Sequence, residues 1–134
     1  MPEGQNSSSE IVIANLCSWD RSAIEAMGAL ITRHMIRTPS VTVLRVDFKK
    51  GATMPPHHHV HEQVTMLESG RLRLIVDGNE IILKPGDILR IPPDVPHFTE
   101  ALADSSNIEV FTPAREDIPC PDAAFLRGIQ NRTE

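Results

Sequence analysis

"GATMPPHHHVHEQ", residues 51–63, places four histidines within five positions in mid-chain. Val60 breaks the run, Pro55 and Pro56 precede it, and Glu62 and Gln63 follow. In an extended strand residues i, i+2 and i+4 share a face. His57, His59, His61 and Gln63 therefore have one parity, and His58, Val60 and Glu62 the other. Two imidazoles at i and i+2 can clasp one divalent metal ion, for which imidazole is a ready ligand. A further ligand has to come from elsewhere in the chain, and His97, directly after the proline-rich "IPPDVP" (91–96), is the candidate.

The surroundings read as short strands. "VTVLRVDF" (41–48) alternates, with Leu44, Val46 and Phe48 on one face and Arg45 and Asp47 on the other. "LITRHMIR" (30–37), "VHEQVTML" (60–67), "RLRLIV" (71–76), "EIILK" (80–84), "ILRIP" (88–92), "HFTEALA" (97–103) and "NIEVFTP" (107–113) continue the series between turn signals. Asp77-Gly78 accepts the positive φ of a type I′ hairpin turn. "EIVIANL" (10–16) reads as a peripheral strand, and "SWDRSAIEAMGAL" (18–30) has weak helical character interrupted by Gly28. With no βαβ alternation and no internal repeat, the pattern predicts an all-β antiparallel barrel or double-sheet sandwich.

At 134 residues the chain is most economically one domain. The expected division is a disordered arm over 1–10, a domain over 11–118 and a proline-broken, weakly helical tail over 119–134. A net charge of −5 with no basic stripe argues against nucleic acid as a partner. No stretch approaches the roughly 18 apolar residues of a membrane span, and the polar start has no apolar leader, so a cytoplasmic protein is expected. Cys17 and Cys120 lack the spacing of a zinc or redox motif and read as free thiols.

The two histidine segments resemble the paired motifs of the cupin superfamily. The first, G-x5-H-x-H-x3,4-E-x6-G, runs through Gly51, His57, His59, Gln63 and Gly70, with Gln in place of Glu. The second, G-x5-P-x-G-x2-H-x3-N, runs through Gly86, Pro92, Asp94, His97 and Ala101, with Asp for Gly and Ala for Asn. The resemblance implies a double-stranded β-helix, a small barrel of jelly-roll type. It also implies one divalent metal ion (Zn, Ni, Mn or Fe) held by His57, His59, Gln63 and His97. Glu62 rivals Gln63, because carboxylates bind metals better than amides. An all-neutral ligand set leaves the ion its full charge and tilts the site towards redox-neutral Lewis-acid chemistry.

A narrower stretch, with "EVFTPARED" (109–117) at its end, is similar to the small cupins of pectin and alginate breakdown, which open 4,5-unsaturated uronates. That likeness implies a small carboxylated or polyhydroxylated substrate. Glu109 then shuttles a proton, Arg115 pairs with the substrate carboxylate, Phe111 walls the pocket, and His61 is a further pocket or catalytic residue. Met66 stands at a pocket position where such relatives carry an aromatic. Polyketide-cyclase-like chemistry, a metal-dependent dioxygenase and a non-catalytic small-molecule module are the competing readings. By analogy with small cupins a homodimer is expected, paired through a strand at Ile11 to Ala14.

Overall fold

Alternation along β3 (Thr42–Phe48) sets the interior: Thr42, Leu44, Val46 and Phe48 are buried and the residues between them are half exposed. The computed structural model describes residues 14–119. A short 3-10 turn (Trp19–Arg21) leads into ten strands, β1 (Ala23–Ala26), β2 (Ile31–Arg37), β3, β4 (Thr53–His57), β5 (Glu62–Ser69), β6 (Leu72–Val76), β7 (Asn79–Leu83), β8 (Ile88–Ile91), β9 (His97–Ala101) and β10 (Ser105–Thr112). They form a six-stranded sheet in the order β1-β2-β3-β10-β5-β8 and a four-stranded sheet in the order β4-β9-β6-β7, every pairing antiparallel. This is the expected all-β architecture. Leu44, Val46, Phe48, Leu67 and Phe111 from the larger sheet meet Leu72, Leu74, Leu83 and Ala101 from the smaller. Each large apolar side chain so buried contributes about 1.5–3 kcal/mol relative to exposure.

Two sequence expectations are corrected here. Of residues 18–30 only the 3-10 turn Trp19–Arg21 is helical: Ala23–Ala26 extends and pairs with Thr32–Met35 on the edge of the larger sheet. Weak helical propensity loses to a ladder of tertiary hydrogen bonds. Nor do the histidines lie on one strand. β4 takes in Pro55 and Pro56, which an edge strand tolerates, and ends at His57; β5 begins only at Glu62. Residues 58–61 connect the two sheets. The inward parity nonetheless survives the crossing, because His59, His61 and Gln63 are buried while His58 and Val60 are exposed. The expected strand at Ile11 to Ala14, the arm at 1–10 and Cys120 with the tail from 120 onward lie wholly or mostly outside the described residues.

Turn chemistry holds where it was read. Asp77 and Gly78 have φ of 50° and 82°, the double positive φ of the hairpin between β6 and β7. Asp94, at φ 64°, occupies the position where the motif has glycine, and Asp is among the few residues that adopt this region readily. Gly70 is constrained by space as well as by its φ of 93°, since a Cβ there would sit 2.3 Å from the Asp104 carbonyl oxygen. Gly86 has a similar φ of 94° and open space around it. Gly70→Ala is therefore expected to lower stability by more than Gly86→Ala, whose cost is backbone strain alone, about 1–3 kcal/mol. Chemical denaturation of both variants checks this, and equal losses would remove the packing argument.

Candidate metal centre and substrate cavity

The join between the sheets assembles the candidate ligands. His57, the last residue of β4, is directly opposite His97, the first of β9. His59 follows in the connection, whose carbonyl accepts the Asp94 N–H at 2.7 Å and so ties the two motif segments together. Gln63 is the second residue of β5. One ring nitrogen from each of His57, His59 and His97 lies within 4.8 Å of the others. His59, Gln63 and His97 are buried and His57 is partly exposed.

Each imidazole is oriented by the backbone. Nδ1 of His57 donates to the Pro55 carbonyl at 2.8 Å, that of His59 to the His61 carbonyl at 3.0 Å, and that of His97 to the Val95 carbonyl at 2.9 Å. A neutral imidazole has one N–H, so all three present Nε2 as a lone pair. The Gln63 amide is fixed likewise: its Nε2 donates to Thr65 Oγ1 at 2.9 Å, turning Oε1 to within 3.2 Å of His59 Nε2. Nε2 of His97 is buried without a hydrogen-bond partner. That orphaned nitrogen, and the gathering of three imidazole nitrogens within 4.8 Å of one another, fit a bound cation, with His57, His59, His97 and the Gln63 oxygen as the residues that could hold it. Ligating histidines typically give their second nitrogen to such a partner, which sets tautomer and orientation.

Protonation favours the same state. Burial, opposed by the Val95 hydrogen bond and reinforced by electrostatic repulsion from His57, His59 and Arg115, lowers the His97 pKa to about 4. Burial, followed by Arg115, also lowers that of His59. Glu62 meanwhile pairs with Arg90 across the outer face of β5 and β8. The amide, and not the adjacent carboxylate, faces the histidines.

Beside this cluster lies a cavity of about 190 Å³. His57, Gln63 and His97 contribute one wall, and Arg33, Glu109, Phe111 and Arg115 line it with them. Glu109 and Phe111 share the inward face of β10, as their parity required. The Glu109 carboxylate accepts a hydrogen bond from Asn107 Nδ2 at 2.9 Å. Burial raises its pKa to about 7, against the opposing pull of Arg115, Arg33 and that hydrogen bond. Phe111 packs edge-on to the His59 ring at 5.5 Å, with the Arg115 guanidinium 4.8 Å above its own ring.

Two expected pocket residues lie elsewhere. Met66 is on the outer face of β5, between Ile108 and Ile88, because only Gln63, Thr65 and Leu67 share the inward parity. His61 is buried but does not line the cavity; its Nε2 is 3.8 Å from Asp117 Oδ1. Sequence reasoning missed Arg33, Asn107 and Asp117. Arg33 had a signal, since in β2 it shares the parity of the buried Ile31 and Met35.

Compared with known families, residues 44–112 match the cupin domain. The chain belongs to the cupin family. This cupin is 31% identical over 101 residues to the pectin degradation protein KdgF of Dickeya dadantii, an alignment covering 73% of this chain and 92% of that one. Among solved structures it is similar to KdgF from a Halomonas species, with a TM-score of 0.67 and 30% identity over 71% of this chain and 89% of the other. An RmlC-like cupin from Shewanella frigidimarina gives a TM-score of 0.73 at 30% identity, covering 78% and 96%. Both the superfamily and the narrower likeness read from the motifs are borne out.

The depressed His97 pKa has a consequence for the metal-free protein. Its folded form keeps His97 neutral down to about 4, whereas the unfolded chain takes up that proton from 6.5 downward. The contribution of His97 to stability is thus fully present above pH 6.5 and is lost as pH falls towards 4. Thermal unfolding of the metal-free protein across this window is expected to show a steeper loss than that of His97→Phe. Parallel profiles would contradict the buried neutral imidazole.

Proposed function

We propose that this cupin is a divalent-metal-dependent isomerase that opens 4,5-unsaturated uronates to linear keto sugars. One observation carries the reading: a carboxyl group with its pKa near 7 and an arginine share a small cavity with the three-histidine, one-glutamine cluster. The likeness to proteins named for pectin degradation supports the substrate class.

The reaction is redox-neutral. The C1 hydroxyl proton leaves, the bond from C1 to the ring oxygen breaks as the C1 carbonyl forms, and a proton adds to C4 while C5 becomes a ketone. No oxidant enters, and one proton leaves oxygen as one reaches carbon. A bound divalent ion supplies Lewis-acid polarisation of substrate oxygens, held by His57, His59, Gln63 and His97.

This chain's own residues supply the rest. Glu109, poised near half-protonation at pH 7, takes a proton at one stage and returns one at another, the match of pKa to pH that general acid–base catalysis favours. Asn107 holds one carboxylate oxygen, leaving the other for the sugar. Arg115 meets the substrate carboxylate, for which its planar fork is suited. Phe111 forms a ring-sized apolar wall, and Arg33 adds a second positive charge along the same cavity.

Loss of the unsaturated uronate's ultraviolet absorbance on adding the metal-loaded protein is the direct assay. Glu109→Gln is expected to reduce turnover by about 10²–10⁴-fold with the fold intact. His97→Ala and chelation are both expected to abolish it. No absorbance loss from the wild-type protein, or substrate-dependent oxygen uptake in its place, would overturn the proposal.

A further inference from the structure

The Arg115 guanidinium has two hydrogen-bonding edges, and the chain occupies one of them. Nε and Nη2 donate to Asp117 Oδ1 and Oδ2 at 2.9 and 2.8 Å, a bidentate side-on pair. Five N–H groups make up the fork, so the end-on edge, Nη1 with the second Nη2 hydrogen, has no partner among the described residues. The Arg115 side chain lines the cavity at only 12% exposure, whereas Asp117 is 52% exposed and does not line it.

The segment carrying Asp117 is anchored on both sides. Before it, the Arg115 backbone N–H donates to Thr42 Oγ1 at 2.8 Å. After it, the Ile118 carbonyl accepts from Arg37 Nη2. Asp117 also meets the buried His61 ring, whose Nε2 is 3.8 Å from Oδ1. The carboxylate is thus fixed between a buried histidine and the outer edge of the arginine.

We infer that Asp117 is a positioning residue, which clamps the outer edge of Arg115 so that the inner, end-on edge is held ready for a ligand's carboxylate. It touches no substrate. Its work is to remove the rotamer freedom of a long side chain before binding, a cost otherwise paid out of affinity. The Arg115 pair, ahead of other contributions, holds the Asp117 pKa down at about 2, so the clamp is charged throughout the working pH range. His61, expected in the pocket, then serves behind the clamp. This inference rests on the reading of Arg115 as the carboxylate-binding residue.

Glucuronate, a saturated uronate without the reactive double bond, is the probe, titrated calorimetrically into the metal-loaded protein with glucose as the uncharged comparison. Asp117→Ala is expected to weaken glucuronate binding by up to about tenfold, the cost of ordering one freed long side chain on binding. Asp117→Asn, which keeps one acceptor, should fall between it and the wild type. On the unsaturated substrate, KM should rise while kcat stays within about twofold, the pattern of lost ground-state binding. Unchanged affinity in both variants would overturn the inference, and tighter binding would do so by showing that Asp117 competes with the ligand. Arg115→Gln separates the layers. If it weakens glucuronate binding while the Asp117 variants do not, only the clamp fails. If it has no effect, or if the wild type binds no glucuronate, the carboxylate reading of Arg115 fails as well.

Discussion

Three hydrogen bonds from imidazole Nδ1 to backbone carbonyls decide what this barrel can do. They run from His57, His59 and His97 to Pro55, His61 and Val95. Each fixes a tautomer, and together they turn three Nε2 lone pairs towards one point. Gln63 joins them because Thr65 accepts its amide N–H and leaves the oxygen facing His59. His97 Nε2 is the sharpest case, because a buried acceptor without a hydrogen-bond partner is costly unless a cation meets it. Metal binding to a set of this kind is coupled to folding and to proton release.

The fold supplies the carbonyls as much as the imidazoles. β4 and β9 pair so that His57 and His97 face each other, and the 58–61 connection crosses to the larger sheet while keeping inward parity. The Asp94 turn bonds to His59 and links the second motif to the first. Close packing around Leu44, Leu67 and Phe111 then leaves a cavity where two arginines and one carboxyl face the cluster. Burial dominates Glu109 strongly enough to raise its pKa to about 7 despite both arginines. The same low-polarity surroundings that keep His97 neutral keep Glu109 half-protonated, so one environment prepares both the ligand and the acid.

Much of this was legible in the residues. Period-2 alternation in 42–48 marked the core face, Asp77-Gly78 marked a hairpin, and the spacing of two motifs aligned His57, His59, Gln63 and His97. Parity alone put Glu109 and Phe111 together. The same parity argues against Met66, which is odd-to-even with Gln63 and so faces out, although likeness to relatives placed it in the pocket. What could not be read was three-dimensional. The 18–30 segment carries helical propensity but yields to pairing with β2. The Nδ1 partners are carbonyls, to which any sequence contributes equally. Asp117 is one acid in "RED", and only the folded chain distinguishes its bidentate hold on Arg115 from a solvated charge.

The measurement closest to the centre is metal-edge X-ray absorption on the metal-loaded protein, compared with His57→Ala, His59→Ala and His97→Ala. The expected spectrum has outer-shell scattering from three imidazoles and a light oxygen donor, falling to two imidazoles in each variant that still binds metal. Four imidazoles in the wild type, which would bring in His61, or an unchanged count in any one variant, would contradict the convergence of these three rings on one ion.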